Sequence, residues 1–186
     1  MPPFGPAGGP YKRTDVREAT APVTGVPRLP WRELYEAHAA ELVGYLWKLT
    51  GDREAGNDLM QDTFIAAMRD ERALRDPAAA RAWLYRIATR LAYKRLRRSR
   101  LIAFLPFSGR EEAAGDAFDA ERHTVRDALA RIAPDQAVAL VLHHAQGFTR
   151  AEIAVLTGRS EETIKSRIAR GRRAFLAVYD RADGDR

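Results

Sequence analysis

Cysteine and long hydrophobic runs are both absent from this sequence of 186 residues. Without cysteine the chain can form no disulfide, no thiolate-ligated metal centre and no thiol nucleophile, and a reducing compartment is expected. No apolar segment approaches the ~20 residues that a membrane-spanning helix requires. The N-terminus also lacks the apolar core of a signal peptide. We therefore expect a cytoplasmic protein that is not inserted in a membrane.

Recognisable catalytic patterns are also missing. The sequence has no P-loop, no glycine-rich dinucleotide fingerprint and no Ser/His/Asp arrangement, which argues against an enzyme or a bound cofactor. His143 and His144 are adjacent, but the sequence has only four scattered histidines and offers no ligand set. Asp58 and Asp62 are spaced to share a helix face, yet two carboxylates alone make a poor metal site. We expect neither catalysis nor a metal.

Charge, by contrast, is plentiful and unevenly distributed. The net charge is +6, but residues 81–100 contain eight basic residues and no acidic one, while residues 31–80 contain ten acidic and six basic residues. Residues 101–135 are again net acidic, and residues 136–186 are net basic. A concentrated basic block attracts phosphates through Coulomb forces and counterion release. The distribution predicts a nucleic-acid contact in the basic block.

The hydrophobic pattern predicts an all-α protein. Seven of the ten prolines fall in residues 1–30, which we interpret as a disordered tail. Apolar residues then recur at helical spacing, and no segment alternates as a strand does. Residues 31–100 are predicted to form one helical bundle, residues 101–122 a flexible linker, and residues 123–186 a second small helical domain.

Three helices are expected in the first domain. The first ends at Gly51 and the second begins near Asp52, while the third begins near Pro77, which follows a good N-cap residue. The second helix is expected to bury Leu59, Thr63, Phe64, Ala67 and Met68. The third is expected to bury Ala80, Trp83, Leu84, Ile87 and Leu91. For Trp83 a place in the core is favoured over a stacking platform on DNA.

The sharpest local signal in the second domain is a helix-turn-helix. Thr149 and Glu152 have capping-box spacing, Gly158 suits the turn, Ser160 suits the next N-cap, and Ile164 would pack between the helices. The second helix of such a motif enters the DNA major groove. The outward-facing candidates on it are Glu161, Glu162, Thr163, Lys165, Ser166, Arg167 and Arg170. An ordinary helical hairpin with a solvated charged face is the alternative.

Two segments together resemble bacterial RNA polymerase sigma factors of the extracytoplasmic-function type. The first comprises Asp58–Phe64, Ala82–Ala88 and the basic Lys94–Arg98, and the second is the helix-turn-helix ending Glu162–Arg172. The resemblance covers about residues 31–178. It implies that the first domain is sigma domain 2 and the second is sigma domain 4.

The resemblance implies a partner for each charged surface. Asp58, Gln61 and Asp62 match the positions that dock on the β′ clamp helices of core RNA polymerase. The third helix would hold the melted minus-10 element in a positively charged groove, to which Arg81 and Arg100 would also contribute. The loop Asp70–Ala80 would supply a pocket for an extruded base. The matched minus-10 residues are Arg86, Arg90, Lys94, Arg95, Arg97 and Arg98.

Domain 4 would read the minus-35 element as duplex. The candidate residues are Ser160 and the outward-facing residues of the second helix listed above. The apolar surface of the domain would contact the polymerase β flap. The acidic linker resembles the sigma segment that passes through the polymerase cleft. An anti-sigma factor is a further expected partner, because sigma factors of this type are often held inactive by one.

The sequence departs from the family pattern at three positions. Arg90 stands where asparagine is usual, Lys94 stands where aspartate is usual, and Asn57 stands where an acidic residue is common. The first two raise phosphate affinity and remove polar groups that could read bases, so the minus-10 preference is expected to differ.

Two other functions fit parts of the sequence. One is a helix-turn-helix regulator whose N-terminal bundle senses a ligand or dimerises, but such a bundle has no need of eight uncompensated cations. The other is an anti-sigma or adaptor protein that binds only protein, against which the charges of the recognition helix argue.

Overall fold

Seven α-helices make up most of the computed structural model, which describes residues 29–74, 76–103 and 120–184. They are α1 (Trp31–Thr50), α2 (Arg53–Arg69), α3 (Ala80–Ala103), α4 (Ala120–Arg131), α5 (Pro134–Leu140), α6 (Arg150–Thr157) and α7 (Glu161–Gly184). These ranges contain no strand, which confirms the predicted all-α class. Within them, no helix combines the length and apolarity needed to cross a membrane.

The hairpin between α1 and α2 follows directly from local sequence. Gly51 adopts φ 73°, and its N–H donates to the Trp47 carbonyl at 2.9 Å, which ends α1. The Asp52 carboxylate then accepts hydrogen bonds from the N–H groups of Glu54 and Ala55 at 2.9 and 3.1 Å. Both predicted helix boundaries are therefore confirmed.

The core of the first domain lies among α1, α2 and α3. Tyr45 on α1 and Tyr85 on α3 are fully buried, with ring centroids 5.1 Å apart. The Tyr45 hydroxyl lies 2.8 Å from that of Thr89, so these two buried polar groups satisfy each other. Burial raises the pKa of Tyr45 above its ordinary value, which keeps the phenol neutral. Trp83 is only 5% exposed and belongs to this core, as the sequence predicted.

One predicted core residue is wrong. Met68 is 50% exposed, whereas Met60, which the sequence pattern did not single out, is 5% exposed. The buried stripe of α2 passes through Met60, Thr63 and Ala67. Met68 is one residue past Ala67, about 100° further around the helix, and so falls outside that stripe.

The second domain consists of α4 to α7. Pro134 occupies the first turn of α5, and α5 continues into a π-helical turn at Val141–Ala145 that contains both adjacent histidines. The N–H at Nδ1 of His143 donates to the Phe148 carbonyl at 2.9 Å, which ties the following loop to this turn. Gly171 on α7 lies against Gln136 and Leu140 of α5, where an added Cβ would come within 3.2 Å of both.

The two domains share one continuous core through Tyr85 and Phe148, whose ring centroids are 5.0 Å apart. α3 runs to Ala103 and α4 begins at Ala120, so the first and last three residues of the predicted linker are helical. The rest of that linker, residues 104–119, and the predicted tail up to residue 28 lie outside the described residues.

Candidate nucleic-acid interface

Helix α2 presents an acidic and partly apolar outer face. Asp58, Gln61 and Asp62 are all exposed, because the residues that alternate with them at helical spacing fill the core. Within the described part of the chain, neither carboxylate has an ion-pair partner. The face is therefore free to meet a basic surface.

Two hydrophobic residues that the sequence analysis did not assign to a surface extend this face. Ile65 is 46% exposed and Met68 is 50% exposed. Ile65 lies three residues after Asp62 and seven after Asp58, so helical spacing could have placed it on the same face. A surface with apolar contacts beside polar ones is the usual composition of a protein-binding patch.

Helix α3 carries the basic surface. The side chains of the predicted minus-10 residues are all exposed, namely Arg86, Arg90, Lys94, Arg95, Arg97 and Arg98. We call these six residues the basic strip. The helix contains no acidic residue, and none of the six forms an ion pair within the described residues. The strip therefore projects uncompensated positive charge, as the sequence predicted it would.

Arg81 differs from the basic strip although it belongs to the same helix. Its Nε donates to the Glu41 carboxylate at 3.2 Å, and a second nitrogen donates to the other carboxylate oxygen. The hydrogen bond from Arg81 holds the pKa of Glu41 below its ordinary value, and the hydrogen bond to Glu41 raises the pKa of Arg81. Arg81 also contacts the second domain, so in this structure it is not part of an open groove.

The loop before α3 contains the residues that start this helix. The Asp76 side chain accepts from the Ala78 N–H at 2.9 Å, and Pro77 opens a 3₁₀ turn that leads into α3. This confirms the predicted start of the third helix. Whether the loop forms a pocket for an extruded base stays a prediction, since residue 75 lies outside the described residues.

The helix-turn-helix has the geometry that its sequence predicts. The Thr149 hydroxyl accepts from the Glu152 N–H at 3.2 Å, and the Glu152 carboxylate accepts from the Thr149 N–H at 2.8 Å. This backbone hydrogen bond lowers the pKa of Glu152 from its ordinary value. Gly158 takes φ 64°, and the Ser160 hydroxyl accepts from the Thr163 N–H at 3.2 Å. Ile164 is fully buried.

Most of the predicted minus-35 residues lie on the accessible side of α7. Ser160, Glu161, Glu162, Lys165 and Arg170 are exposed, while Thr163 and Ser166 are half-buried. Glu162 pairs with Lys165 at 3.5 Å and Glu161 pairs with Arg150 at 3.6 Å, both at the surface. Such exposed pairs contribute little stability, so breaking either pair costs little free energy.

Arg167 has a different environment from its neighbours on α7. Its side chain is only 15% exposed, and its Nε lies 3.0 Å from the Asp135 carboxylate on α5. Helical spacing predicted that Arg167 faces outward with its neighbours, because spacing alone does not show which partner α5 offers. In this structure Arg167 links α7 to α5 instead of projecting freely.

Comparison with known families shows what class of protein this architecture defines. The model of sigma-70 region 2 matches residues 34–102, and the model of sigma-70 region 4 matches residues 122–175. The first match spans the helices that carry the acidic face and the basic strip, and the second spans the helix-turn-helix. A helical sensor domain in front of a helix-turn-helix, the alternative function, is therefore not favoured.

Curated relatives show which type of sigma factor the chain resembles. The chain is 32% identical over 144 residues to the ECF RNA polymerase sigma factor SigL of Mycobacterium tuberculosis, which covers 74% of this chain and 81% of SigL. It is also 32% identical over 166 residues to SigM of the same species, covering 89% of this chain and 84% of SigM. In fold it resembles the sigma factor RpoE of Bartonella quintana, with a TM-score of 0.63, 23% identity, and coverage of 81% of this chain and 96% of RpoE.

The chain belongs to the extracytoplasmic-function family of RNA polymerase sigma factors. It is a transcription initiation factor that binds core RNA polymerase and directs promoter recognition, and it is not an enzyme. The resemblance drawn from the sequence is thereby confirmed at the level of the family.

Proposed function

We propose that this sigma factor acts in the cytoplasm and divides its work among three helical surfaces. The acidic face of α2 docks on the β′ clamp helices, the basic strip of α3 holds melted minus-10 DNA, and α7 reads the minus-35 duplex. The observation that carries the proposal is the basic strip. Six exposed cations with no acidic neighbour on their own helix suit a single strand whose phosphates need neutralising.

The minus-10 preference of this protein should differ from the family's usual one. Arg90 and Lys94 are exposed and lie on successive turns of α3 between Arg86 and Arg97. Side chains that end in a positive charge contact phosphates more readily than they discriminate among bases. We therefore propose that backbone contacts dominate minus-10 binding here and that sequence is read mainly through α7.

The partners follow from the same surfaces. Asp58, Gln61 and Asp62, with Ile65 and Met68 beside them, form the proposed polymerase contact, and the apolar surface of the second domain contacts the β flap. An anti-sigma factor is a further proposed partner. The fold-related RpoE of Bartonella quintana was solved in complex with the anti-sigma factor NepR, which supports this proposal.

Run-off transcription with purified core polymerase and genomic promoter fragments tests the function. We expect a new, specific transcript only when the protein is added. If no transcript forms and the protein does not bind core polymerase, the proposed assignment fails.

Charge reversal on α2 tests the docking surface within the same assay. Asp58→Lys with Asp62→Lys should weaken core binding at least tenfold, because two carboxylates would be replaced by like charges facing a basic partner. Glu33→Lys with Glu36→Lys, on exposed positions of α1, is the charge-matched control and should bind core polymerase as the native chain does. Equal loss in both variants would mean that net charge, and not this face, determines docking.

A further inference from the structure

The contact between the two domains is concentrated at the N-terminal end of α3. A guanidinium nitrogen of Arg81 donates to the backbone carbonyl of Gln146 at 2.8 Å. The Tyr85 hydroxyl, one turn further along α3, donates to the side-chain carbonyl oxygen of the same Gln146 at 2.7 Å. One glutamine in the loop before the helix-turn-helix is thus held at both its backbone and its side chain.

The guanidinium group of Arg81 also lies against two aromatic rings that contact each other. Its central carbon lies 4.4 Å from the ring centre of Phe148 in the second domain and 5.1 Å from that of Tyr85 in the first. Contacts of this kind between a cation and an aromatic face are attractive. Glu41 of the first domain also accepts hydrogen bonds from the guanidinium, so Arg81 is already oriented by its own domain before it meets the second.

A second contact of the same chemistry runs in the opposite direction. Arg126 on α4 of the second domain lies over the ring of Trp47 on α1, with 4.7 Å between the guanidinium carbon and the ring centre. Each domain therefore places an arginine on an aromatic residue of the other. Two such contacts restrict rotation of the domains more than either contact would alone.

This closed arrangement conflicts with simultaneous promoter contact. By their names, the minus-10 and minus-35 elements lie roughly 25 base pairs apart, or ~85 Å of duplex at about 3.4 Å per base pair. Domains joined by hydrogen bonds of 2.7 and 2.8 Å cannot span that distance. If each domain binds the element assigned to it under the proposed function, on which this step rests, the contact must open first.

We propose that Arg81, Tyr85, Gln146 and Phe148 form an interdomain latch that holds the free chain closed and inhibits it until core polymerase separates the domains. The latch can open because its polar part is near water. The Arg81 and Glu41 side chains are 36% and 34% exposed, so solvent can replace the lost interdomain hydrogen bonds. Opening also releases Arg81, at the start of the helix that carries the basic strip.

Energy transfer between two dyes on the full chain tests the latch directly. The native sequence has no cysteine, so Glu36→Cys on α1 and Asp180→Cys on α7 introduce the only thiols, both at exposed positions. In the native latch we expect a dominant high-transfer population. Arg81→Gln should shift the ratio of closed to open molecules about tenfold toward low transfer, the size expected for losing hydrogen bonds to a charged group.

Two comparisons keep this experiment decisive. Tyr85→Phe removes only the hydroxyl that donates to Gln146 and preserves the buried ring, so it should shift transfer in the same direction by a smaller factor. Arg32→Gln removes an equal charge from an exposed position of α1 and should leave transfer unchanged. If Arg81→Gln and Tyr85→Phe both retain the native transfer efficiency while circular dichroism shows native helicity, the latch is refuted.

Association with core polymerase tests the inhibitory role separately. Gln146→Ala removes the side-chain acceptor of the Tyr85 hydroxyl but keeps the backbone carbonyl that Arg81 contacts, so it should open the latch partly, as Tyr85→Phe does, without altering a proposed DNA or polymerase contact. It should bind core polymerase faster than the native chain, in proportion to the open population that dye transfer shows. An open variant that binds no faster would overturn the inhibitory role. A failure of the proposed function would look different, because no variant would support a specific transcript although dye transfer still responded to Arg81→Gln.

Discussion

Gly56 shows at the scale of one residue how closely α1 and α2 approach each other. A Cβ built on Gly56 would lie 3.0 Å from the backbone nitrogen of Trp47 and 3.3 Å from its Cα. Backbone atoms of a packed helix cannot move aside as the end of a flexible side chain can. Glycine is therefore required here by packing, although it is a poor helix former.

Gly56→Ala should destabilise the protein by about 1 kcal/mol. An overpacking cost of about 1–3 kcal/mol exceeds the ~0.5–1 kcal/mol gained from the better helix propensity of alanine. Gly44→Ala on α1 is the matched control, because the nearest atom to its added Cβ is the Lys48 Nζ at 3.7 Å. The control should stabilise the protein by ~0.5–1 kcal/mol. Thermal unfolding followed by circular dichroism would show opposite shifts, and shifts of the same sign would contradict the packing argument.

Thr149 acts at the same scale in the second domain. Thr149→Ala should cost about 1 kcal/mol, because it leaves the Glu152 N–H without its side-chain acceptor at the start of α6. Val155→Ala, at a position on α6 that is 81% exposed, should change stability by less than about 0.5 kcal/mol. Chemical denaturation of the two variants measures the difference. Equal stability would mean that packing alone fixes the start of this helix.

Helix α3 has one side buried in the core and another that carries the basic strip. Its inner side carries Leu84, Tyr85 and Ala88 into the core, all of them fully buried. Its outer side carries the basic strip. The core contacts hold the strip in place, because a helix fixed by three buried residues over little more than one turn cannot rotate freely. A surface of repelling cations can be maintained only on such an anchored helix.

Neutralising part of the strip should weaken DNA contact more than polymerase docking. Arg95→Gln, Arg97→Gln and Arg98→Gln together should lower the slope of log affinity against log salt for melted promoter DNA by about 2, at ~0.7 per phosphate contact. Core polymerase binding should change little. The charge-matched control replaces three exposed arginines elsewhere, Arg32, Arg131 and Arg181, with glutamine. Equal losses in DNA and core binding would assign the strip to the polymerase interface instead.

At the scale of the whole molecule, the two domains pack as one body in this structure. Their common core and the reciprocal arginine–aromatic contacts make the closed arrangement cooperative, because each contact raises the local concentration of the other. A substitution that breaks either contact should therefore weaken the other contact as well.

Arg126→Gln should open the molecule although it is distant in sequence from the latch. Removing the cation from the Trp47 ring should move dye transfer in the same direction as Arg81→Gln does. The double variant should open little further than the more open single variant, which is the non-additivity expected of coupled contacts. Two shifts that simply add in free energy would show that the contacts act independently.

The helical class, the family and the helix boundaries near Gly51, Asp52 and Pro77 could all be predicted from the sequence. The capping and turn residues form hydrogen bonds with groups within about four residues in the chain, so these bonds can be predicted from local sequence. These residues are Gly51, Asp52, Thr149, Gly158 and Ser160. The basic strip could be read in the same way, since helical spacing separates it from the apolar residues of α3. The structure has confirmed the inward place of Trp83, for which the same spacing was the argument.

The positions at which these helices meet, and the charges that remain without an ion-pair partner among the described residues, follow from the packing of the whole fold. Arg81 and Gln146 are 65 residues apart in the chain, and no local spacing indicates that they hydrogen-bond. The same holds for Arg167, which pairs with Asp135 across two helices, and for Met68, which the phase of α2 places at the surface. Local signals fix the backbone of each helix because their partners are close in sequence. Contacts between helices depend on how faces are oriented after packing, and that orientation is a property of the whole fold.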